Sequence, residues 1–160
     1  MTFKIIIPAR YQSSRLEGKP LLEIDGVPMV VHVVKQSLKS KADEVVVATD
    51  DQRIFDVVVK FGYKAIMTNL NHRSGTDRVA EVVDLMGWTD NEIVVNVQGD
   101  EPEIAGEAID QVMNLLIANP TASVATLATP IRTKENLEDP ACVKVVCGHD
   151  ASALYFSRSV

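Results

Sequence analysis

Apolar residues along the chain fall into two kinds of run: short β-branched segments, and longer stretches in which they recur every three or four positions. Their alternation predicts an α/β fold, with helices on both faces of a largely parallel sheet. Residues 3–7 read as the first strand, and Ile5, Ile6 and Ile7 in succession suit a central strand covered on both faces. A stretch without period follows from Pro8 to Pro20. Pro28 then opens a helix reaching about Leu38, with Met29, Val30, Val33, Val34 and Leu38 as its apolar stripe. Residues 44–48 form the second strand. Thr49-Asp50 caps a helix over 51–61, and Gly62 stops it.

Residues 63–67 predict a third strand, 68–74 a loop, and 76–86 a helix. The fourth strand, 92–97, runs into Gln98-Gly99-Asp100-Glu101-Pro102, and a helix over 106–118 carries Ile109, Val112, Met113 and Leu116. Past Pro120 the pattern changes to strands at 123–129, 142–147 and 153–157, the last two joined through Gly148-His149-Asp150 as a hairpin. The last strand ends three residues before the C-terminus, so the chain is expected to be cut short.

Composition narrows the class. With 160 residues, 46% hydrophobic and 24% charged, the chain suits one globular domain and excludes disorder and disulfide-rich scaffolds. A net charge of −6 offers no global field for nucleic acid or an anionic membrane, so an anionic ligand needs a local basic patch. The apolar run before Pro8 is too short for a signal peptide or a membrane span, and a cytoplasmic location is expected. Cys142 and Cys147, an odd distance apart on a predicted strand, point to opposite faces and are expected to be unpaired, buried packing residues. His32, His72 and His149 match no zinc-ligand spacing.

Candidate chemistry gathers after strands one and four. The first loop holds Arg10, Arg15 and Lys19 among Ser13, Ser14 and Gly18, and in an open α/β sheet that loop lies beyond the carboxyl ends of the strands, where ligands bind. Three cations there suit a polyphosphate; a solvated surface loop is the plain alternative. Gly18-Lys19-Pro20 is not a Walker loop, because the earlier glycine and the Ser or Thr after lysine are missing, and no G-x-G-x-x-G follows the first strand. Asp100, just past the fourth strand, suits Mg²⁺, which takes one or two carboxylates plus phosphate oxygens and water. An ordinary Gly-Asp turn is the alternative, and Glu101 is the lesser ligand candidate. His72-Arg73-Ser74-Gly75-Thr76-Asp77-Arg78 opens the third helix, offering N–H groups and hydroxyls to a polar ligand or serving as a plain N-cap.

Together these segments resemble a known family. Ile7-Pro8-Ala9-Arg10-Tyr11-x-Ser13-x-Arg15-Leu16-x-Gly18-Lys19-Pro20-Leu21, Val47-Ala48-Thr49-Asp50, His72-x-Ser74-Gly75-Thr76, Val95-Asn96-Val97-Gln98-Gly99-Asp100-Glu101-Pro102 and Ala153-Leu154-Tyr155-Phe156-Ser157-Arg158 are similar, in order, to the 3-deoxy-manno-octulosonate (Kdo) cytidylyltransferases. The resemblance implies a Rossmann-like, glycosyltransferase-A-type nucleotidyltransferase fold, with a nucleotide-binding part over 1–120 and the start of a sugar-acid-binding part over 121–160. It implies that CTP and Kdo give CMP-Kdo and pyrophosphate for lipopolysaccharide synthesis, with Mg²⁺ as cofactor and a homodimeric parent. By position Ala9, Arg10, Arg15 and Lys19 would take the nucleotide loop, with the cations on the phosphates. His72, Ser74 and Gly75 would lie by the nucleoside, Asp100 would hold the metal, and Gln98 and Arg158 would face the sugar acid. Arg10, Lys19 and Asp100 are the catalytic candidates, and no residue stands out as a general base. Glu17 stands where the family often has proline. Family members continue past Arg158 into further acceptor ligands and a second metal carboxylate, so this chain alone is expected to bind Mg-CTP weakly without useful turnover. The competing expectations are a CTP-binding module without turnover and a cytidylyltransferase for a related sugar acid.

Overall fold

The structure, a computed structural model, describes residues 2–12 and 16–160. Arg15, with Ser13 and Ser14, lies outside the described residues. Contacts divide the chain into two compact units, Met1–Ala125 and Thr126–Val160.

The first unit begins with strand β1, Phe3–Ala9, whose residues are nearly all buried. A short 3-10 turn at Lys19–Leu21 leads to a hairpin of β2, Glu23–Ile24, and β3, Val27–Pro28. Its two-residue turn is Asp25-Gly26, both with positive φ (51° and 74°), the conformation that matches the right-handed twist of the flanking strands. Helix α1, Met29–Ser37, follows, so Pro28 stands at the N-cap position one residue ahead of its expected place. Next come β4, Glu44–Thr49; α2, Gln52–Lys60; β5, Lys64–Met67; α3, Gly75–Met86; β6, Ile93–Asn96; and α4, Gly106–Ala118.

β5, β4, β1 and β6 make one sheet in that spatial order, and every neighbouring pair is parallel. In sheet-strand terms the order is third, second, first, fourth, the doubly wound arrangement. The chain steps outward from β1 through β4 to β5, then crosses back to the other side of β1. Parallel crossovers are right-handed, so the outward steps put their helices on one face and the return step puts α3 on the other.

The core follows that rule. Phe3, Ile5, Ile7 and Ala9 pack with Val30, Val33 and Val34 of α1, Ile54 and Val58 of α2, and Ile109 and Met113 of α4. Ile6, Val46 and Ala48 face the opposite way, onto Val82 of α3, with Val79, Val83, Met86 and Trp88 around it. The period of two along β1 thus feeds two separate apolar layers, which is why Ile5, Ile6 and Ile7 are apolar in succession, with Lys4 the strand's one charged position.

The second unit holds a short helix α5, Lys134–Glu138, capped by Thr133, and the antiparallel pair β7, Lys144–Cys147, with β8, Ala153–Ser157. Three expectations are corrected here. No strand forms over 123–129: an apolar alternation makes a strand only against a partner edge that takes its N–H and C=O groups, and none among the described residues pairs with it. The strand expected from Cys142 starts at Lys144 instead, whose buried ammonium donates to the carbonyls of Asp139 (2.9 Å), Cys142 (3.2 Å) and Arg158 (2.7 Å). The two free cysteines are not buried packing residues, for Cys147 is exposed and Cys142 half-buried.

Candidate active site

β1 and β6 are parallel neighbours at the point where the strand order reverses, and the helices that follow them, α1 and α4, pack in the same apolar layer. That point, at the carboxyl ends of the two strands, is the crevice where doubly wound sheets bind ligands.

Glycine makes the crevice close-packed. Val97 N–H donates to the Ile6 carbonyl (3.0 Å), continuing the β6 ladder by one residue. A Cβ on Gly99 would then stand 2.7 Å from the Pro8 carbonyl oxygen and 3.5 Å from the Ala9 Cβ, so only glycine lets this exit run along the end of β1. From the other sheet face, Gly75 at the start of α3 approaches Pro8, with 3.5 Å from its Cβ position to the ring Cγ. Ala9, Gly75 and Gly99 therefore surround one carboxyl end. Across the crevice Lys19 Nζ donates to Asp100 Oδ2 at 2.7 Å, joining the loop after β1 to the loop after β6. Both side chains remain partly open to solvent.

The loop after β1 is closed at its base. The Gly18 N–H donates to the Tyr11 carbonyl at 2.8 Å, with Gly18 at φ +69°. Arg10, exposed, precedes this closure and Lys19 follows it.

Ser74 and Asp77 form a reciprocal cap at the start of α3. The Asp77 N–H donates to Ser74 Oγ (3.1 Å), and the Ser74 N–H donates to the Asp77 carboxylate (3.0 Å). The plain capping role foreseen for this segment is thus filled. The N–H groups of Gly75 and Thr76, in the first turn, have no partner within the helix. His72 Nε2 donates to Glu81 Oε2 at 2.5 Å, and the same oxygen accepts the Asn69 N–H at 2.9 Å. The His72 bond, followed by that of Asn69, holds the Glu81 carboxyl below the ordinary glutamate range. His72 is in this way tied back to α3. Gln98 is exposed, with its amide donating to Asn96 Oδ1 at 3.3 Å. Arg158 belongs to the second unit, where its guanidinium donates to the Pro140 carbonyl at 2.8 Å.

Two residues that sequence reasoning missed support this edge. Arg78 is fully buried, pairing with Asp50 Oδ2 at 2.5 Å and donating to the Thr68 hydroxyl, which itself donates to the Thr49 carbonyl at 3.0 Å. It ties the carboxyl ends of β4 and β5 to the first turns of α3. Its Nε is buried without a partner. Arg53 lies over the Tyr11 ring, 3.3 Å from the ring centre, and forks onto Asp51. Nothing local marks either arginine; both contacts depend on how distant strands are ordered.

A doubly wound sheet with a cation-bearing loop and a carboxylate at its switch point has the form of a ligand-binding crevice in an open α/β protein. The cytidylyltransferase family profile matches residues 4–160, and the chain belongs to that family. It is 51% identical over 99% of its length to the 3-deoxy-manno-octulosonate cytidylyltransferase of Thioalkalivibrio sulfidiphilus, covering 64% of that protein. Against the enzyme of the same name from Hahella chejuensis the identity is 54%, over 98% of this chain and 62% of that protein. The chain thus spans a little under two thirds of these relatives. The solved structure of CMP:2-keto-3-deoxy-manno-octonic acid synthetase complexed with CTP superposes with a TM-score of 0.91 at 46% identity, over 99% of this chain and 65% of that one. Among the described residues no helix is long and apolar enough to cross a membrane.

Proposed function

We propose that the chain carries the CTP-binding part of a cytoplasmic cytidylyltransferase that activates Kdo, giving CMP-Kdo and pyrophosphate for lipopolysaccharide assembly. The observation that carries this reading is the meeting of Lys19 and Asp100 at the switch point, in a fold shared at TM-score 0.91 with a synthetase holding CTP.

In such a transfer the Kdo hydroxyl oxygen bonds to the α-phosphorus of CTP in line, the bond to the bridging oxygen breaks, pyrophosphate leaves and the hydroxyl proton passes to solvent. Most of the catalytic work is positioning and charge neutralisation. Arg10, Arg15 and Lys19 take the triphosphate oxygens. Ala9 and Gly75 line the end of β1, where the absence of bulk lets the nucleotide approach the backbone. The free N–H groups opening α3 accept a polar or anionic group, and Ser74 and His72 hold that turn in place. Gln98 is assigned to the sugar acid, and the whole protein to a homodimer.

A divalent metal fits the donor set in a limited way. Among the described residues no group of three or more His, Cys, Asp or Glu is poised to hold an ion. Mg²⁺ needs only one or two carboxylates when phosphate oxygens and water complete its shell, and Asp100 supplies one at an open position. Asp100 would hold Mg²⁺, which when bound supplies charge neutralisation on the phosphate oxygens.

The test is a pyrophosphate-release assay on the whole protein with CTP and Mg²⁺, run with Kdo and with a panel of related sugar acids. Release that requires Kdo supports the reading, whereas release with a different acceptor alone, or CTP binding with no release under any acceptor, overturns it.

A further inference from the structure

We propose that Arg53 is a positioning residue for the loop after β1: stacked on Tyr11, it holds the Tyr11–Gly18 closure that fixes Arg10 and Lys19 at the loop's two feet. The functional half of this inference rests on the reading of that loop as the triphosphate element.

The closure is one hydrogen bond, from the Gly18 N–H to the Tyr11 carbonyl at 2.8 Å. Arg10 is the residue before Tyr11 and Lys19 the residue after Gly18. Opening that bond lets the backbones of the two cations drift apart, and with them the spacing that would match adjacent phosphate oxygens. A single backbone bond at a loop base is weak support for two long side chains. The structure adds a second and a third constraint. A Cβ on Gly18 would lie 3.1 to 3.3 Å from Cε2, Cζ and Oη of Tyr11, so the ring packs directly on the glycine backbone. The same ring carries the Arg53 guanidinium, its Cζ 3.3 Å from the ring centre, the separation of a stacked planar cation.

Arg53 is itself immobilised. Its Nε and Nη2 donate to the two oxygens of Asp51 at 2.9 and 2.6 Å. Asp51 is the N-cap of α2 and also accepts the Arg53 N–H at 3.0 Å. The guanidinium beside it holds the Asp51 carboxyl below the usual range, so the fork stays charged at neutral pH. The rigid end of a helix is thus joined to the loop through a planar stack. Arg53 itself is well exposed, its side chain at 57% of full accessibility. Nothing in the core needs it, and removal affects the loop rather than the fold.

Amide exchange at Gly18, followed by NMR without nucleotide, is the direct test, with calorimetric titration of CTP and of cytidine alongside. Arg53→Ala is expected to speed Gly18 exchange at least fivefold while leaving the melting temperature and the exchange of β1 and β4 amides unchanged. CTP binding is expected to weaken at least threefold and cytidine binding to hold. Arg53→Lys keeps the charge but loses the plane and the fork, and is expected to behave as Arg53→Ala. In a Tyr11→Leu background the Arg53→Ala change is expected to add nothing further. Unchanged Gly18 exchange in Arg53→Ala, full rescue by lysine, or additivity with Tyr11→Leu overturns the proposal. Faster exchange with undiminished CTP affinity supports the clamp and overturns instead the assignment of the loop to the triphosphate.

Discussion

Lys19 and Asp100 stand 81 residues apart in sequence and form a 2.7 Å ion pair across the switch point of the sheet. Each is therefore the counter-charge of the other in the free chain. A partly exposed pair of this kind contributes about 1 kcal/mol or less to stability, so its substitution tests binding with little interference from unfolding. Asp100→Asn keeps the side-chain size, removes one negative charge from the crevice and releases Lys19. CTP affinity without Mg²⁺ is expected to stay the same or rise, and the gain on adding Mg²⁺ is expected to vanish. Calorimetric titrations with and without Mg²⁺ check this; a variant retaining the full Mg²⁺ dependence would rule Asp100 out as the metal carboxylate.

Alanine at Arg10, Arg15 or Lys19 separates charge from shape. Charge-assisted hydrogen bonds contribute about 1.5–3 kcal/mol, so each change is expected to weaken CTP roughly ten- to a hundredfold. Cytidine, which has no phosphate, should lose less than about twofold on the same reasoning. Parallel titrations of the two ligands read the difference, and equal losses would mean that the loop shapes the fold or the base pocket.

Arg78 is a matter of stability. Its guanidinium is fully buried against Asp50 and Thr68. Removing one partner of a buried ion pair strands the other, and Arg78→Met is expected to cost about 3–5 kcal/mol in denaturant unfolding. The double change Arg78→Met with Asp50→Leu removes both charges and is expected to recover part of that loss. No recovery would mean that the arginine acts through packing alone.

How much of this was legible beforehand depended on the range of the interaction. β1, β4, β5 and α3 follow from local periodicity, whereas the pairing of β1 with β6 is no part of what that periodicity predicts. The β2–β3 hairpin was missed although Asp25-Gly26 is strong turn chemistry, because its two-residue strands are too short to show a period. The strand expected at 123–129 had the period but no partner edge, a property of the whole sheet. Arg78 and Arg53 look like ordinary surface cations in the sequence, since burial of one and stacking of the other arise only when β4, β5 and the β1 loop have come together.

Acid should release the loop before α3. The Glu81 carboxyl is held below the ordinary glutamate value of about 4 by its bond to His72, so it is deprotonated in the folded chain at a pH where the unfolded chain already takes up a proton. Its stabilising contribution is therefore complete above the unfolded value and is lost as pH falls through the lowered folded one. The melting difference between the parent chain and Glu81→Gln is expected to be present at pH 6 and to close toward pH 3. A difference that is constant across this range would assign the effect of Glu81 to hydrogen bonding in either protonation state.

The place of β6 beside β1 also sets when the crevice can exist at all. β1 is the first strand made, yet one of its edges stays open until Phe3 meets Ile93 and Ile6 meets Asn96, by far the most distant pairing in the sheet. Closing so long a loop carries a large entropic cost before any contact rewards it, and such pairings form late. During synthesis β1, β4 and β5 with α1 and α2 are complete while Asp100 is still untranslated. The emerging chain therefore carries Lys19 without its partner Asp100, next to an unpaired apolar strand edge. For that interval the free edge of β1 is open to pairing with another chain, a hazard that ends when β6 docks.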